Sequence, residues 1–379
     1  MNVADAATRG IVDQVRAAHD QKTGLRIRGA GRWLDAGRPC GATGVLEIGS
    51  HSGVIEYEPG DLTLTARAGT SLGEIARVTR AEGQWLALRP YGPEEGTLGA
   101  TVATASAGPL ASAFGTPRDQ VLGCELVTGA GDVVRAGGRV VKNVAGFDLV
   151  RLNTGAWGTL GVLTLVSVRL RALPEVDLSL AVEASAEDAW RWLRASEFTP
   201  LAAELLSAAL AQRVNAGPGA VLLVRLGGNE ALVRAAARSL AALGPVRELA
   251  ASVWDALAAC EPDGSAVIRL STAPSRGAAL WDRATSIVER AHGLAHATVQ
   301  RGIVRCILPV GGANEEETAR LRGIVGALQH LGTAVVEHLP APLWASLVPS
   351  AAADALSARV RGAFDPRHIL NPGILGEPS

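Results

Sequence analysis

One stretch of the chain, residues 138–166, places a lysine and a carboxylate in front of three evenly spaced glycines. The residues concerned are Lys142, Asp148, Gly155, Gly158 and Gly161, and the apolar run VLTLV follows them. A lysine in such a loop can stabilise negative charge on a bound group. An ion pair between Lys142 and Asp148 would instead only stabilise a turn. We favour the interpretation that Lys142 and Asp148 stabilise a turn. The role of the three glycines is then the open question in this stretch.

The glycines do not form the pattern of a Rossmann dinucleotide site. A strand-like run follows Gly161 directly, so no helix N-terminus is available there for phosphate. Another pair, Gly29 and Gly31, follows the strand-like run LRIR and would let backbone N–H groups approach a pyrophosphate. The third glycine of G-x-G-x-x-G would fall at Leu34. Taken alone, this loop is equally well explained as a turn.

A third loop, residues 95–108, combines hydroxyl groups with glycines. Its hydroxyl residues are Thr97, Thr101, Thr104 and Ser106, and its glycines are Gly96, Gly99 and Gly108. Hydroxyl and open backbone groups in one stretch suit a phosphate or a flavin ring edge, which need many donors without strong charge. The start of a small-residue helix packed on a sheet is an equally good interpretation of this loop alone.

Histidines and arginines outside these loops are weaker candidates. His292 and His296 stand four apart, which would suit a metal on a helix, but Gly293 and the lack of a third ligand argue against it. We therefore predict no metal site. Arg225 and Arg269 each end an apolar strand and could hold a carboxylate in a bidentate manner. No pattern identifies a catalytic base.

Composition excludes several classes of protein. Lys plus Arg total 36 against 37 for Asp plus Glu, so no net field favours nucleic acid or an acidic membrane. The 4 cysteines include no C-x-x-C pair, which argues against an iron–sulfur cluster in this chain. With no apolar run long enough to cross a bilayer, we expect no direct membrane insertion. The expected location is cytoplasmic, or peripheral at the inner membrane through partners.

The elements that must position these loops change character near residue 174. Residues 62–173 are mainly strand-like runs joined by glycine-rich loops, and residues 88–109 are expected to form one long ordered loop. After Pro174, strands alternate with helices in an order that occurs twice, which predicts a ferredoxin-like sheet-and-helix layer. We therefore predict an α+β fold with a second domain at 175–350.

Taken in order, the loops resemble the FAD-binding domain of the vanillyl-alcohol oxidase superfamily, also called the p-cresol methylhydroxylase (PCMH) type. The motifs are RGAGR, ARAGTSLGEIA, GTLGATVATASAG, RDQVLG, RVVKNVAGFDLVRLNTGAWGTLGVL and the tail FDPRHILNPG. Within this superfamily they look most like the FAD-binding subunit of bacterial glycolate oxidase. The resemblance covers residues 20–174 and 361–375, and it implies a two-part FAD domain, 1–174, to which a C-terminal segment, 351–379, returns.

The resemblance also implies which residues hold the cofactor. The first pyrophosphate loop would be Arg28, Gly29, Ala30, Gly31, Arg32 and Trp33. The second would comprise Thr97, Leu98, Gly99, Ala100, Thr101, Thr104, Ser106 and Gly108, and the adenosine side would be Gly158, Gly161 and Val162. The tail would bring His368 toward the flavin ring. Relatives with covalent flavin have a histidine in the first loop, so FAD is expected to be noncovalent here.

The implied function is that of an FAD-binding subunit in a glycolate or D-lactate dehydrogenase complex. Its implied partners are a catalytic flavoprotein subunit, an iron–sulfur subunit and a small 2-hydroxy acid. The catalytic subunits of such complexes resemble one another in a G-D-G-N-x-H motif, and this sequence has no such motif. Two alternatives stay open: a self-sufficient FAD oxidoreductase acting on a hydroxy acid or sugar lactone, and a structural subunit that has lost FAD.

Overall fold

The computed structural model describes residues 6–31, 36–92, 95–138, 148–349 and 354–376. Arg32, Trp33 and Lys142, which the sequence singled out, lie outside the described residues.

The chain forms strands and helices throughout its length. The strands are β1 (Leu25–Arg28), β2 (Gly44–Glu47), β3 (Val54–Glu58), β4 (Thr63–Arg67), β5 (Gln84–Trp85), β6 (Val121–Val127), β7 (Val133–Gly137), β8 (Val162–Arg169), β9 (Arg171–Ala172), β10 (Val176–Glu183), β11 (Ala202–Leu206), β12 (Val221–Gly228), β13 (Val246–Leu249), β14 (Ala266–Ser271), β15 (Leu294–Thr298), β16 (Ile303–Leu308) and β17 (Thr333–His338). The helices are α1 (Ala6–Gln21), α2 (Leu72–Arg80), α3 (Leu98–Thr104), α4 (Ala111–Phe114), α5 (Pro117–Gln120), α6 (Leu149–Asn153), α7 (Ala186–Ala195), α8 (Ala208–Arg213), α9 (Glu230–Leu240), α10 (Val253–Ala258), α11 (Gly277–Arg290), α12 (Glu315–Gln329), α13 (Trp344–Leu347) and α14 (Ala355–Phe364).

The first half of the chain contains a five-stranded antiparallel sheet. Its order is β3-β4-β8-β6-β7, and a separate parallel pair joins β1 to β2. Helix α2 begins after a capping residue, because the Ser71 hydroxyl accepts a hydrogen bond from the Glu74 amide at 3.0 Å. The strand-like runs of residues 62–173 form strands such as β4, β6, β7 and β8, with helices α2 to α6 between them.

One expectation for this half was wrong. Residues 88–109 do not form a single long loop, because α3 lies inside them. Thr97 caps that helix by accepting a hydrogen bond from the Ala100 amide at 3.3 Å. Two residues with little or no side chain, Gly99 and Ala68, allow the helix to pack close to the sheet. A small-residue helix packed on a sheet is therefore present, and its contact with a cofactor stays a prediction.

The end of the chain contacts its beginning. The Leu25 amide donates to the Ile369 carbonyl at 2.7 Å, and Leu25 forms a parallel bridge with Leu370. The fully buried Asp365 accepts hydrogen bonds from the Ile369 and Leu370 amides, which fixes this turn of the tail. The division into domains at 1–174, 175–350 and 351–379 stays a prediction.

The second half contains an eight-stranded antiparallel sheet of order β13-β10-β12-β11-β15-β16-β14-β17. Strands β10 to β13 form one βαββαβ unit of ferredoxin-like order, and β14 to β17 form a second. The two units join where β11 pairs with β15. The predicted ferredoxin-like layer is confirmed, and its repeated order corresponds to two complete units.

Several elements of this sheet had no sequence signal strong enough to name them, namely β11, β13, β15 and α11. Strand β11 is buried along its whole length, so it has no polar–apolar alternation. Helices α7, α9, α11 and α12 cover one face of the sheet with a large apolar core. The opposite face is turned partly toward the first half of the chain. Among the described residues, no helix is long and apolar enough to cross a membrane.

Candidate functional site

A cleft of about 1050 Å³, measured out to its open side, lies where three loops of the first half meet the C-terminal tail. Twelve residues that the sequence predicted for the cofactor line it. They are Arg28, Gly29, Ala30, Gly31, Thr97, Gly99, Ala100, Thr101, Thr104, Ser106, Gly158 and Gly161. The fold thus brings together three segments that are far apart in the sequence.

Three other predicted residues do not line this cleft. The Leu98 and Val162 side chains are fully buried in the apolar core of the first half. Gly108 lies against the Arg89 carbonyl, where a Cβ would stand only 1.8 Å from the oxygen. These positions support the cleft from behind, and the assignment of cofactor contacts to individual residues stays a prediction.

The first two loops touch at glycine positions. A Cβ on Gly29 would stand 2.6 Å from the Thr97 Oγ1, and one on Gly99 would stand 2.6 Å from the Ala68 Cβ. Real Cβ atoms do not approach other heavy atoms so closely, so a side chain at either position would separate the walls of the cleft. The glycines here are explained by packing between loops as well as by access for a ligand.

The threonine hydroxyls of the second loop serve the helix rather than the open cleft. The Thr101 hydroxyl donates to the Thr97 carbonyl at 3.0 Å, and the Thr104 hydroxyl donates to the Ala100 carbonyl at 2.8 Å. Two arginines of β1, Arg26 and Arg28, line the cleft, but the Arg28 guanidinium is already paired with Glu47, so its charge is largely neutralised there. The arrangement suits an anionic ligand held mainly by backbone groups.

Asn371 is a site residue that sequence reasoning missed. Its side-chain oxygen accepts a hydrogen bond from the Ile27 amide at 2.8 Å, and its side-chain nitrogen donates to the Trp157 carbonyl at 2.7 Å. It therefore ties the first glycine loop to the third. Both Asn371 and Trp157 have left-handed backbone, with φ of 42° and 55°. Such strain concentrates at functional sites, and the tail motif ILNPG was the available signal.

The structure shows the positions of two other residues that the sequence singled out, Asp148 and His368. Asp148 caps α6, because its Oδ1 accepts a hydrogen bond from the Arg151 amide at 3.0 Å. Its pairing with Lys142 lies outside the described residues. His368 is exposed and is not among the residues that line the cleft. The structure therefore does not bring His368 to the predicted ligand.

The second-half candidates are paired with carboxylates of the chain itself. His292 lies in a turn and His296 in β15, so they do not share a helix face. His296 nevertheless has a carboxylate neighbour that the sequence did not reveal: its Nδ1 lies 2.8 Å from Glu204 Oε2, and both side chains are fully buried. Arg225 binds Asp177 through two contacts of 2.9 and 2.6 Å.

A network of charged side chains occupies the same face of the sheet. Arg305 binds Glu261 and Glu337, and Glu337 also binds Arg269 at 2.5 Å. Burial alone would lower the pKa of Arg305, but the two carboxylates raise it above its usual value. Arg269 is thus already committed to a carboxylate, as Arg225 is. Neither arginine lines the cleft as a ready clamp for a substrate.

Tyr91 connects this network to the cleft. It lines the cleft, it is only 5% exposed, and its ring centroid lies 5.0 Å from that of His296. The guanidinium carbon of Arg305 stands 4.4 Å from the same ring centroid. Burial, followed by the charge of Glu204, raises the pKa of the Tyr91 phenol well above its usual value, so the phenol is neutral.

Comparison with known proteins agrees with this site. Residues 6–137 match the family described as FAD binding domain. The chain is 40% identical over 231 residues to glycolate oxidase subunit GlcE of Escherichia coli (strain K12), which covers 59% of this chain and 65% of that protein. It is 32% identical over 154 residues to glycolate oxidase subunit GlcD of Bacillus subtilis (strain 168), or 40% of this chain and 33% of that one.

The matched stretches thus span less than two thirds of the length of either curated relative. Among solved structures, alkyldihydroxyacetonephosphate synthase matches with a TM-score of 0.70 at 16% identity, over 96% of this chain and 75% of that one. At this identity the match establishes a shared fold.

Proposed function

We propose that this chain, whose residues 6–137 belong to the FAD binding domain family, is the FAD-binding subunit of a complex that oxidises glycolate or a related 2-hydroxy acid. The observation that carries the proposal is the cleft itself. Three glycine-containing loops converge there, inside a chain that is 40% identical over 231 residues to a glycolate oxidase subunit.

The residues present fit FAD. The cleft is open on one side and is lined by three glycine-containing loops and the C-terminal tail, which offers an extended ligand several separate contacts. Close contacts at Gly29 and Gly99 keep backbone groups, which are common donors to a pyrophosphate, at the surface of the cleft. Bound FAD would supply hydride acceptance from a carbon that carries a hydroxyl group. We propose noncovalent binding.

The chain's own contribution is binding and orientation. Gly29 to Gly31 and the start of α3 would hold the pyrophosphate, and Asn371 would keep the first and third loops at a fixed separation. Gly158 and Gly161 would form the wall on the adenosine side. The described residues give no proton acceptor at the cleft surface, so substrate oxidation is proposed for the complex rather than for this subunit alone.

The proposed partners are a catalytic flavoprotein subunit and an iron–sulfur subunit. Two relatives bear names of subunits of one oxidase, which supports an assembly of this kind. The sequence has no cysteine pair at cluster spacing, so electrons that leave FAD would go to a one-electron carrier on a partner.

The direct test of cofactor binding uses Ala100, an exposed residue on α3 that lines the cleft. A carboxylate there would repel an anionic cofactor, so we expect Ala100→Glu to weaken FAD binding about tenfold or more. The matched control is Ala76→Glu, an exposed helix position in α2 that does not line the cleft. Flavin absorbance after titration of the apoprotein measures both variants.

Gly161 is a poorer position for this test. A side chain there would meet Leu126 Cδ1 at 2.5 Å, inside the core, so Gly161→Leu would disturb the fold as well as the cleft.

A wild-type chain that stays colourless and cannot be reconstituted with FAD would favour the structural-subunit alternative instead.

The subunit assignment has its own test. We expect the purified chain with FAD to show little turnover of glycolate with an artificial electron acceptor, and we expect co-purification with a second flavoprotein and an iron–sulfur protein. Robust turnover by the chain alone would instead support the self-sufficient oxidoreductase.

A further inference from the structure

The chain between β5 and α3 and the start of α3 are hydrogen-bonded to different parts of the molecule. The Leu98 and Gly99 amides of α3 donate to the Thr70 and Ala68 carbonyls at 2.9 and 2.8 Å. Midway in the loop between β5 and α3, the Gly92 amide donates to the Ala258 carbonyl of α10 at 2.8 Å. The backbone beside Tyr91 is therefore tied to the second half of the chain, and the start of α3 is tied to the first half.

Tyr91 is the side chain through which this loop meets the eight-stranded sheet. Its ring contacts His296 of β15 and Arg305 of β16, which are direct neighbours in the sheet. A guanidinium over an aromatic face is attractive, and the contact is stronger when both groups are shielded from water. Arg305 is 4% exposed and Tyr91 is 5% exposed, so this contact is shielded.

The surface that receives Tyr91 is itself held in place. Arg305 is bound by Glu261 and Glu337, and the His296 ring is bound by Glu204. A planar guanidinium with two carboxylate partners has little freedom to rotate, and a buried imidazole hydrogen-bonded to a carboxylate is similarly restricted. The ring of Tyr91 thus rests on side chains whose positions are fixed by the sheet.

The phenol hydroxyl of Tyr91 is buried. It lies near Thr298 and Glu204 on the sheet, and burial keeps it neutral by raising its pKa. The part of Tyr91 that matters for the cleft is therefore the ring and its contacts.

We infer that Tyr91 is a positioning residue for the cofactor: its ring lines the cleft and is held by Arg305 and His296, so the eight-stranded sheet sets the position of this part of the cleft wall. This inference rests on the proposed FAD site. Arg305 and His296 do not line the cleft, so they would act on the cofactor only through the ring of Tyr91.

The test measures FAD affinity and the visible circular dichroism of bound flavin. Tyr91→Phe keeps the ring, and we expect affinity within about threefold of wild type with an unchanged flavin spectrum. Tyr91→Ala removes the ring, and we expect affinity to fall about tenfold or more with a changed spectrum. The matched control is Tyr57→Ala, because Tyr57 is the other tyrosine, is partly buried in the same half and does not line the cleft.

A double-mutant cycle separates positioning from general loss of stability. Arg305→Lys keeps the charge but loses the planar fork, so we expect it to weaken FAD binding in the wild-type background and to have no further effect in Tyr91→Ala. Additive effects would overturn the inference, because the two residues would then act independently.

Other outcomes overturn it as well. Wild-type affinity in Tyr91→Ala would remove the role of the ring, and equal losses in Tyr91→Phe and Tyr91→Ala would assign the role to the hydroxyl. A loss in Tyr57→Ala as large as that in Tyr91→Ala would show only general destabilisation. Each of these results presupposes that wild type binds FAD, whereas a wild type without FAD would refute the proposed function itself.

Discussion

The cleft and the charged face of the eight-stranded sheet lie side by side and are built in opposite ways. The cleft consists mostly of backbone and small side chains, with close contacts at positions such as Gly29 and Gly99. The sheet face holds long ionisable side chains that are paired with one another, such as Arg305 with Glu337 and His296 with Glu204. The first region thus offers a ligand mainly backbone groups at an open surface, whereas the second region pairs its charged side chains inside the fold.

The largest expected effect comes from breaking a buried pair on the sheet face. Glu204→Leu leaves the Nδ1 of the fully buried His296 without its carboxylate, and we expect a loss of about 3 kcal/mol in the free energy of unfolding. Urea denaturation followed by far-ultraviolet circular dichroism measures this loss.

The double variant Glu204→Leu/His296→Leu serves as the control for that experiment. An apolar pair of similar size leaves no orphaned polar group, so much of the lost stability should return. If the double variant is as unstable as Glu204→Leu, then Glu204 and His296 stabilise the fold through more than their hydrogen bond to each other. The contrast between the two regions would then be weaker.

A smaller effect is expected where the tail supports the cleft. Asn371→Gly keeps the left-handed backbone and removes two hydrogen bonds, to Ile27 and Trp157, so we expect a loss of about 2 kcal/mol in stability together with weaker FAD binding. Thermal unfolding with and without FAD measures both effects.

Asn371→Asp is a second variant: it keeps the acceptor for the Ile27 amide but sets a carboxylate oxygen against the Trp157 carbonyl and adds negative charge to the cleft lining. We expect its loss of FAD affinity to be at least as large as that of Asn371→Gly. Unchanged FAD affinity in both variants would indicate that the separation of the first and third loops does not matter for the cofactor.

The smallest effect concerns pH and the charged network. Burial alone would raise the pKa of Glu337, but Arg305 and Arg269 overcome it and hold that pKa below its usual value. A carboxylate with a depressed pKa in the folded state contributes stability at neutral pH that is lost as the pH falls through the acidic range. We expect the urea midpoint to fall on acidification, and this slope to be shallower in Glu337→Gln. An equal slope in the variant would assign the acid sensitivity to other groups.

The fold and most of the cleft were readable from the sequence. Glycines, small residues and hydroxyls cluster in short segments, so Gly29, Thr97 and Gly158 stood out locally, and the ferredoxin-like alternation of the second half was visible in its amphipathic helices. Strands such as β11 were not readable, because complete burial removes the alternation of polar and apolar residues that marks a strand. Helix α3 was mistaken for a loop, since its small residues are also typical of loops.

Local patterns of residue type indicated the glycine-rich loops and the α+β alternation of the second half, whereas FAD followed from the resemblance of these loops, taken in order, to a known family. The partners of the long side chains came from the tertiary structure. It placed Glu204 against His296, 92 positions away, and Tyr91 against Arg305, and it brought Asn371 to Ile27, 344 positions away. Such contacts depend on how distant strands are registered within the fold, and no spacing along the chain encodes that information.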